Sequence, residues 1–415
     1  MDSTPPTGMK AFSIIWFGQV VSLLGSAMTW FAFTIWAWQK TGQASALSTV
    51  SFFAFLPTVL FTPIAGTFVD RWDRKTVLMF SDLASALGTL AALLLYSADR
   101  LQIWHIYIIA ILAGFFTAFQ YPAYAAAVTT MLPREHFARA EGMLGLAQAS
   151  SGILAPVIAA ALLGRVGMSG IMLIDLATFI IAIGTLLWVR IPQPAATEIG
   201  MQSRGNFWQE TKFGFRYIRE RASLRGLVML FMAGNFFLAI GATLMAPMLL
   251  SRPGNSETTL AAVQSVGAIG GVAGGILLTL WGGPKRRIHG ILLGGAGACL
   301  LGITWLGLGQ VLLAWAIGSF FFSFFEPFVE GGNLAIWQSK VEADVQGRVI
   351  SARHLLVQIP YLLGVAISGP LADSGIIPSI SLVLALAGLG GMAVFLSGYL
   401  FRPLRLAEDL LPDQA

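Results

Sequence analysis

Residues 76–97 read TVLMFSDLASALGTLAALLLYS, a stretch of 22 residues in which Asp82 is the only charge. A helix rises about 1.5 Å per residue, so about 20 apolar residues cross the roughly 30 Å of hydrocarbon in a bilayer. Eleven more such runs accompany this one. Together they lie near 12–38, 46–69, 76–97, 103–131, 144–163, 167–189, 227–250, 258–280, 290–308, 311–337, 354–371 and 377–401. Of the 415 residues, 56% are hydrophobic and 11% charged, with a mean hydropathy of +0.76; a soluble domain is about a quarter charged. The reading is an all-α membrane protein of 12 transmembrane helices. The first run is too long for a removed leader and lacks a small-residue cleavage site, so it reads as the first span.

The cations orient the spans. With the N-terminus in the cytoplasm, the inner segments hold 21 of the 25 Lys and Arg, and the outer ones hold only Lys40, Arg100, Arg165 and Arg252. The positive-inside rule then places both termini in the cytoplasm of a plasma (inner) membrane. A net charge of +5 scattered through short loops does not make a nucleic-acid surface, which gathers cations beside aromatic stacking groups. The single cysteine, Cys299, lies in an apolar run, leaving no thiolate metal site or disulfide framework. Paired-histidine metal spacing, a phosphate-cradling Gly-x-x-x-x-Gly-Lys loop and a nucleophile elbow are all missing from the sequence. An enzyme or an ATP-driven pump is therefore not expected, and no cofactor is called for.

The long polar interval from Arg190 to Arg225 divides the runs six and six. This predicts an N-terminal six-helix bundle over 1–190, a cytoplasmic linker over 191–226, and a C-terminal bundle with a short tail over 227–415. Within the linker, residues 207–218 mix aromatics with charge, as an interfacial amphipathic helix does, and should lie flat on the inner leaflet. Phe115, Phe116, Phe119 and Pro122 recur at a constant offset as Phe320, Phe321, Phe324 and Pro327. Such a repeat points to two pseudo-symmetric bundles enclosing a site at their interface.

Between the second and third runs stands Gly66-Thr67-Phe68-Val69-Asp70-Arg71-Trp72-Asp73-Arg74-Lys75. It resembles the Gly-x-x-x-Asp-Arg-x-x-Arg-Lys loop of the major facilitator superfamily. The resemblance implies that Gly66, Asp70, Arg71, Arg74 and Lys75 latch one conformation of an alternating-access cycle. Read without it, Gly66 allows close helix approach, Asp70 caps a helix or pairs with Arg74, and the cations enforce topology. The matching loop of the second half, Trp281 to Arg287, keeps cations but has no acid, so any latch should be asymmetric. Asn333, Ile336 to Val341 and Val345 to Val349 are similar to the enterobactin-exporter and macrolide-efflux-like branch of that superfamily. So are Gly214 to Ile218 and Gly18-Gln19 with Ser22 to Gly25, which extends the likeness over nearly the whole chain. One departure is that the first run carries no carboxylate, which weakens proton coupling through it.

An ionisable group inside a span costs roughly 2.5–3.5 kcal/mol at the helix centre, so each acid needs a reason. Glu326 and Glu330 stand four residues apart on one helical face, where two nearby carboxylates in low dielectric cannot both remain charged cheaply. They and Asp82 are the proton-coupling candidates. Pairing of one of them with Arg353, or Asp82 receiving a cation from the loop, are the plainer readings. Asp175 reads as structural. The superfamily fold, as the resemblance implies, lines its cavity with spans one, four, seven and ten. Counting rise along those spans puts Gln19 and Asn235 roughly 10–12 Å from the inner face, Gln120 and Glu326 about 16 Å, and Glu330 about 10 Å. Gln19, Gln120, Tyr121, Tyr124, Asn235 and Glu326 are thus the candidate substrate cavity, with Trp16 and Phe325 as further walls. Gly267, Gly270, Gly271, Gly274 and Gly275 mark a helix contact surface. The function expected is proton-coupled export of an amphipathic organic compound, such as an antibiotic, a siderophore or another secondary metabolite. The partners are then a small-molecule substrate, protons and the lipid bilayer, without nucleic acid, and the chain is expected to be a monomer. The alternatives are an importer or uniporter of a small metabolite and a non-transporting membrane sensor.

Overall fold

Hydrocarbon offers a backbone amide no outside partner, so long apolar runs must close their hydrogen bonds within themselves. The computed structural model describes residues 8–69, 72–191, 207–252, 254, 256–342 and 345–410, and the regular elements among them are all helical. In chain order they are α1 (Gly8–Thr41), α2 (Ala44–Val69), α3 (Arg74–Ser97), α4 (Ile103–Met131), α5 (Phe137–Trp188), α6 (Phe207–Glu220), α7 (Ala222–Leu250) and α8 (Glu257–Trp281). There follow α9 (Arg287–Gly297), α10 (Trp305–Leu308), α11 (Leu312–Phe324), α12 (Glu326–Lys340), α13 (Gln346–Asp373), α14 (Ile380–Ser397), α15 (Arg402–Arg405) and α16 (Ala407–Leu410). A π-helical stretch, Ala298–Thr304, joins α9 to α10.

Eleven stretches of the described residues are long and apolar enough to cross a bilayer, against twelve runs in the sequence. The difference lies in α5, whose 52 residues hold two runs joined at Gly167 with φ 65° and ψ −176°. A side chain tolerates that backbone poorly, and glycine turns the chain there without a loop. The tenth run is divided instead. Its helix stops at Phe324 and restarts at Glu326, with Pro327 in the first turn of α12, where a missing N–H breaks no ladder bond.

The chain forms two compact units. One comprises Met1–Gly42 with Thr49–Ala196, and the other Gln43–Ser48 with Thr197–Ala415. The first is organised by α1 packed along α5, with α3 against α4 and α5. A buried core of Phe12, Ile15, Leu78, Phe119, Tyr124 and Leu186 fills its centre. In the second unit α7 packs on α13 and α14, and α8 on α11. Also within this unit, the Asp373 carboxylate accepts from the N–H groups of Ala44 and Ser45 at 3.1 and 2.7 Å.

The Phe repeat has a matching geometry in each unit. Phe115 and Phe116 meet edge to face at 5.3 Å and 89°, and Phe320 and Phe321 at 5.4 Å and 89°. The amphipathic helix α6 is docked on protein: Tyr217 and Ile218 are 6% and 3% exposed. Phe213 lies under the Arg348 guanidinium at 5.6 Å, and Tyr217, itself covered by Arg221, donates its hydroxyl to Glu342. Burial and that bond push the phenol up to about 12, so it stays the donor. The apolar stripe expected on the leaflet thus meets the second unit at these two residues, because an amphipathic face suits a protein groove as well as a lipid surface.

Of the five glycines expected to make one contact surface, Gly270 and Gly274 do so most tightly. A Cβ there would fall 2.2 Å from the Phe320 carbonyl oxygen and 2.0 Å from that of Phe324, whereas Gly275 faces open space. Gly274→Leu should therefore push α8 off α11 at a cost of about 1–3 kcal/mol, the usual range for overpacking. Thermal unfolding in detergent should show a lowered midpoint for this variant, and Gly275→Leu should unfold like the parent.

Candidate functional site

Asp82 sits two turns into α3 and is 2% exposed. Its carboxylate is held from two other helices: Gln19 Nε2 of α1 donates to Oδ2 at 2.8 Å, and Gln120 Nε2 of α4 donates to Oδ1 at 2.9 Å. The structure thus joins three residues that the sequence offers separately, one as a proton carrier and two as cavity wall. No cation reaches this carboxyl among the described residues. Two neutral amides satisfy its lone pairs without cancelling its charge, so a proton is what would neutralise it. Each glutamine also carries a carbonyl oxygen and can turn it toward a protonated acid, which lets the trio keep its contacts in either charge state.

The loop cations have other work. Arg74 is buried and donates to the Ala126 carbonyl at 2.7 Å and to Thr130 Oγ1 at 3.1 Å, at the end of α4. Lys75 donates to the carbonyls of Leu187 and Val189 at 3.2 and 3.0 Å, at the end of α5. Lys75 thus sits on a helix C-terminus, where carbonyls lack partners and the dipole is negative, while Arg74 binds a carbonyl in the last two turns of α4 that also accepts from the Thr129 and Thr130 hydroxyls. Neither of these two cations reaches Asp82. Asp73, which sequence reading passes over, caps α3 by accepting from the Thr76 N–H at 2.7 Å. Asp70 and Arg71 lie outside the described residues, as do the surroundings of Gly66 and the Tyr121 side chain.

In the second unit the loop before α9 has an acid after all, brought by the tail. Glu408 accepts from the N–H groups of Arg287 and Ile288, both at 3.2 Å, and so caps α9. Asp409 pairs with Arg286 at 3.6 Å, and Lys340 donates to the Glu408 carbonyl at 2.7 Å. A partner about 120 positions away leaves no local mark in the sequence, which is why the loop reads as acid-free. The family-like stretch ending in Lys340 serves the same anchorage. Trp337 is fully buried, gives its indole N–H to Asn333 at 3.0 Å and lies 5.6 Å beneath Arg353.

The two span-ten acids part company. Glu330 pairs with Arg353 at 3.7 Å, the plainer of its two readings. Glu326, exposed at the start of α12, has no hydrogen bond or ion pair among the described residues and gains from the helix dipole. Asn235 is half-buried on α7 and likewise unbonded by described residues. Of the aromatic walls, Trp16 donates to the Met143 carbonyl at 2.8 Å, and Phe325 stacks on Phe321 at 6.0 Å. Tyr124 packs edge-on against Phe12 in the first core, with its hydroxyl unpartnered among the described residues.

Comparison with known proteins agrees with this architecture. Residues 15–365 match the Major Facilitator Superfamily. Macrolide efflux protein A of Streptococcus pyogenes is 28% identical over 370 residues, covering 87% of this chain and 89% of the relative. The multidrug efflux pump Tap of Mycolicibacterium fortuitum is 26% identical over 396 residues, covering 92% and 95%. Among solved structures, a POT family transporter in complex with a thioalcohol-conjugated peptide superposes with a TM-score of 0.70 at 12% identity, over 95% of this chain and 96% of its own.

The tail contact gives a direct test. Glu408→Ala removes the acceptor from two helix N-terminal amides and should cost about 1 kcal/mol, as loss of a cap does. A lower unfolding midpoint in detergent is expected, with Glu408→Asp recovering part of it; equal midpoints for all three proteins would show the cap to be dispensable.

Proposed function

This chain belongs to the Major Facilitator Superfamily, and we propose that it is a proton-coupled exporter of an amphipathic organic compound. It is a multi-pass membrane transporter, not an enzyme. Export is supported by two relatives that are named as efflux proteins, and their macrolide and multidrug labels suggest the substrate class. In the same reading both termini face the cytoplasm of the plasma membrane, in keeping with the distribution of Lys and Arg.

The observation that supports proton coupling is the Asp82 carboxyl, buried among amides with no counter-charge beside it among the described residues. In its charged form it holds Gln19 and Gln120 inward as donors. Protonation turns one carboxyl oxygen into a donor, so the amide facing it either turns its carbonyl to that O–H or is released to a polar group of the substrate. Glu326, bound to no cation among the described residues, is the second carrier, while Glu330 is committed to Arg353. Asn235, Tyr121 and Tyr124 complete the candidate cavity, which alternating access would open to each side in turn.

Cells making the protein should accumulate less of a macrolide probe than cells without it, and a protonophore should abolish the difference. In proteoliposomes, Asp82→Asn and Glu326→Gln should each cut transport driven by an imposed pH gradient roughly tenfold, a change of about 1.4 kcal/mol. Exchange of the probe at equal concentrations should persist. Undiminished gradient-driven transport by both variants would remove the carriers named here, and greater accumulation in producing cells would mean import.

A further inference from the structure

The first unit buries a second acid, Asp175, on the arm of α5 that follows Gly167, and the proposed function leaves it unused. It is 1% exposed. Ser26 Oγ of α1 donates to its Oδ1 at 3.2 Å, and Thr89 Oγ1 of α3 donates to its Oδ2 at 3.0 Å. Thr178, one turn along α5, turns its hydroxyl back to the Asp175 carbonyl at 2.7 Å. The Thr29 hydroxyl of α1, on a residue 2% exposed, lies close enough to act on the carboxyl yet completes no hydrogen bond.

Among the described residues, the polar side chains facing this carboxyl are all neutral hydroxyls. Ser26 and Thr29 come from α1, Thr89 from α3 and Thr178 from α5, with no titratable or charged side chain among them. A bare carboxylate so placed is a buried charge without a counter-charge, which costs several kcal/mol in real proteins. Its protonated form is neutral and carries an O–H that needs an acceptor. The idle oxygen of Thr29 is one.

The position relates this acid to Asp82. Gln19 and Ser26, the α1 partners of the two acids, are seven residues apart, and so are Asp82 and Thr89 on α3. Seven residues are two turns, so the two carboxyls lie on one seam of the bundle, about 10 Å apart along the helices. Ser22, buried on the same face of α1, stands between their levels. We propose that Asp175 and its ring of hydroxyls form a second proton-binding site, loaded against Thr29 and unloaded during the transport cycle. Its part in the cycle rests on the proton-coupled reading; its occupancy by a proton does not.

Infrared spectroscopy of the purified protein in lipid, stepped in pH without substrate, tests the occupancy. The wild type should show a protonated-carboxyl band that fades as pH rises and returns as it falls, and Asp175→Asn should lose that band. Thr29→Val should move the band to higher frequency, since the acid loses its acceptor, with no need for the first variant to fold perfectly. The band should be the same with sodium or choline as the only cation. A spectrum of Asp175→Asn identical to wild type, a band that ignores pH, or one that sodium erases would each overturn the site. In proteoliposomes loaded with a macrolide, Asp175→Asn should keep exchange and lose gradient-driven transport; full retention of that transport would overturn its part in the cycle. If the wild type itself fails to respond to a gradient while the infrared result stands, the fault lies with the coupling reading and not with the proton site.

Discussion

A peptide group that enters hydrocarbon has to find its hydrogen-bond partner on the same chain, and water cannot stand in for one. From this follow the length of the helices and the few places where they are interrupted. Gly167 turns the chain between two spans by taking non-helical angles at that one residue. Pro327 restarts the tenth span in the first turn of a new helix, where its missing N–H is no loss. The same pressure acts on side chains. A polar group within a bundle is either bonded or expensive, so each buried one can be asked what satisfies it.

The answers sort the polar residues by role. Lys75 satisfies the carbonyl end of α5, Glu408 satisfies the amide end of α9, and Arg74 binds a carbonyl near the end of α4; each contact fixes one helix to another segment. Glu330 is neutralised by Arg353. Among the described residues, the two acids buried inside the first unit's spans are bonded but not neutralised, Asp82 by amides and Asp175 by hydroxyls. A charge that is solvated by dipoles and opposed by no cation is the arrangement in which gaining a proton changes the energy most, which separates these two from the structural ion pairs around them.

Much of this was legible in the amino-acid order. Run length alone yields the spans, because the bilayer fixes a length that the chain must match. The cation-rich loops and the family resemblance follow from short stretches of neighbouring residues. The polar layer was legible only in part. Counting rise along each helix places Gln19 and Gln120 at similar depths, but rise says nothing of rotation, and that these two amides converge on Asp82 depends on how three helices are turned. Asp175 reads as a structural acid for the same reason: its hydroxyl partners on α1 and α3 are 149 and 86 positions away. Glu408 is invisible from the loop it serves, since the segment that supplies it comes after the last span. In α5 hydropathy and backbone agree, for the two runs are two helical arms that meet where Gly167 leaves the helical region.

The tail carries a practical lesson. The carboxylate that secures α9 lies on the segment that follows the last span, so a reporter attached just behind Leu410 is attached to a working part of the fold. A fluorescent protein joined directly there would pull on Lys340 and on the start of α9 together, and low yield of such a fusion would measure the linker and not the transporter. A long flexible spacer, or a label at the opposite end, leaves that strap slack.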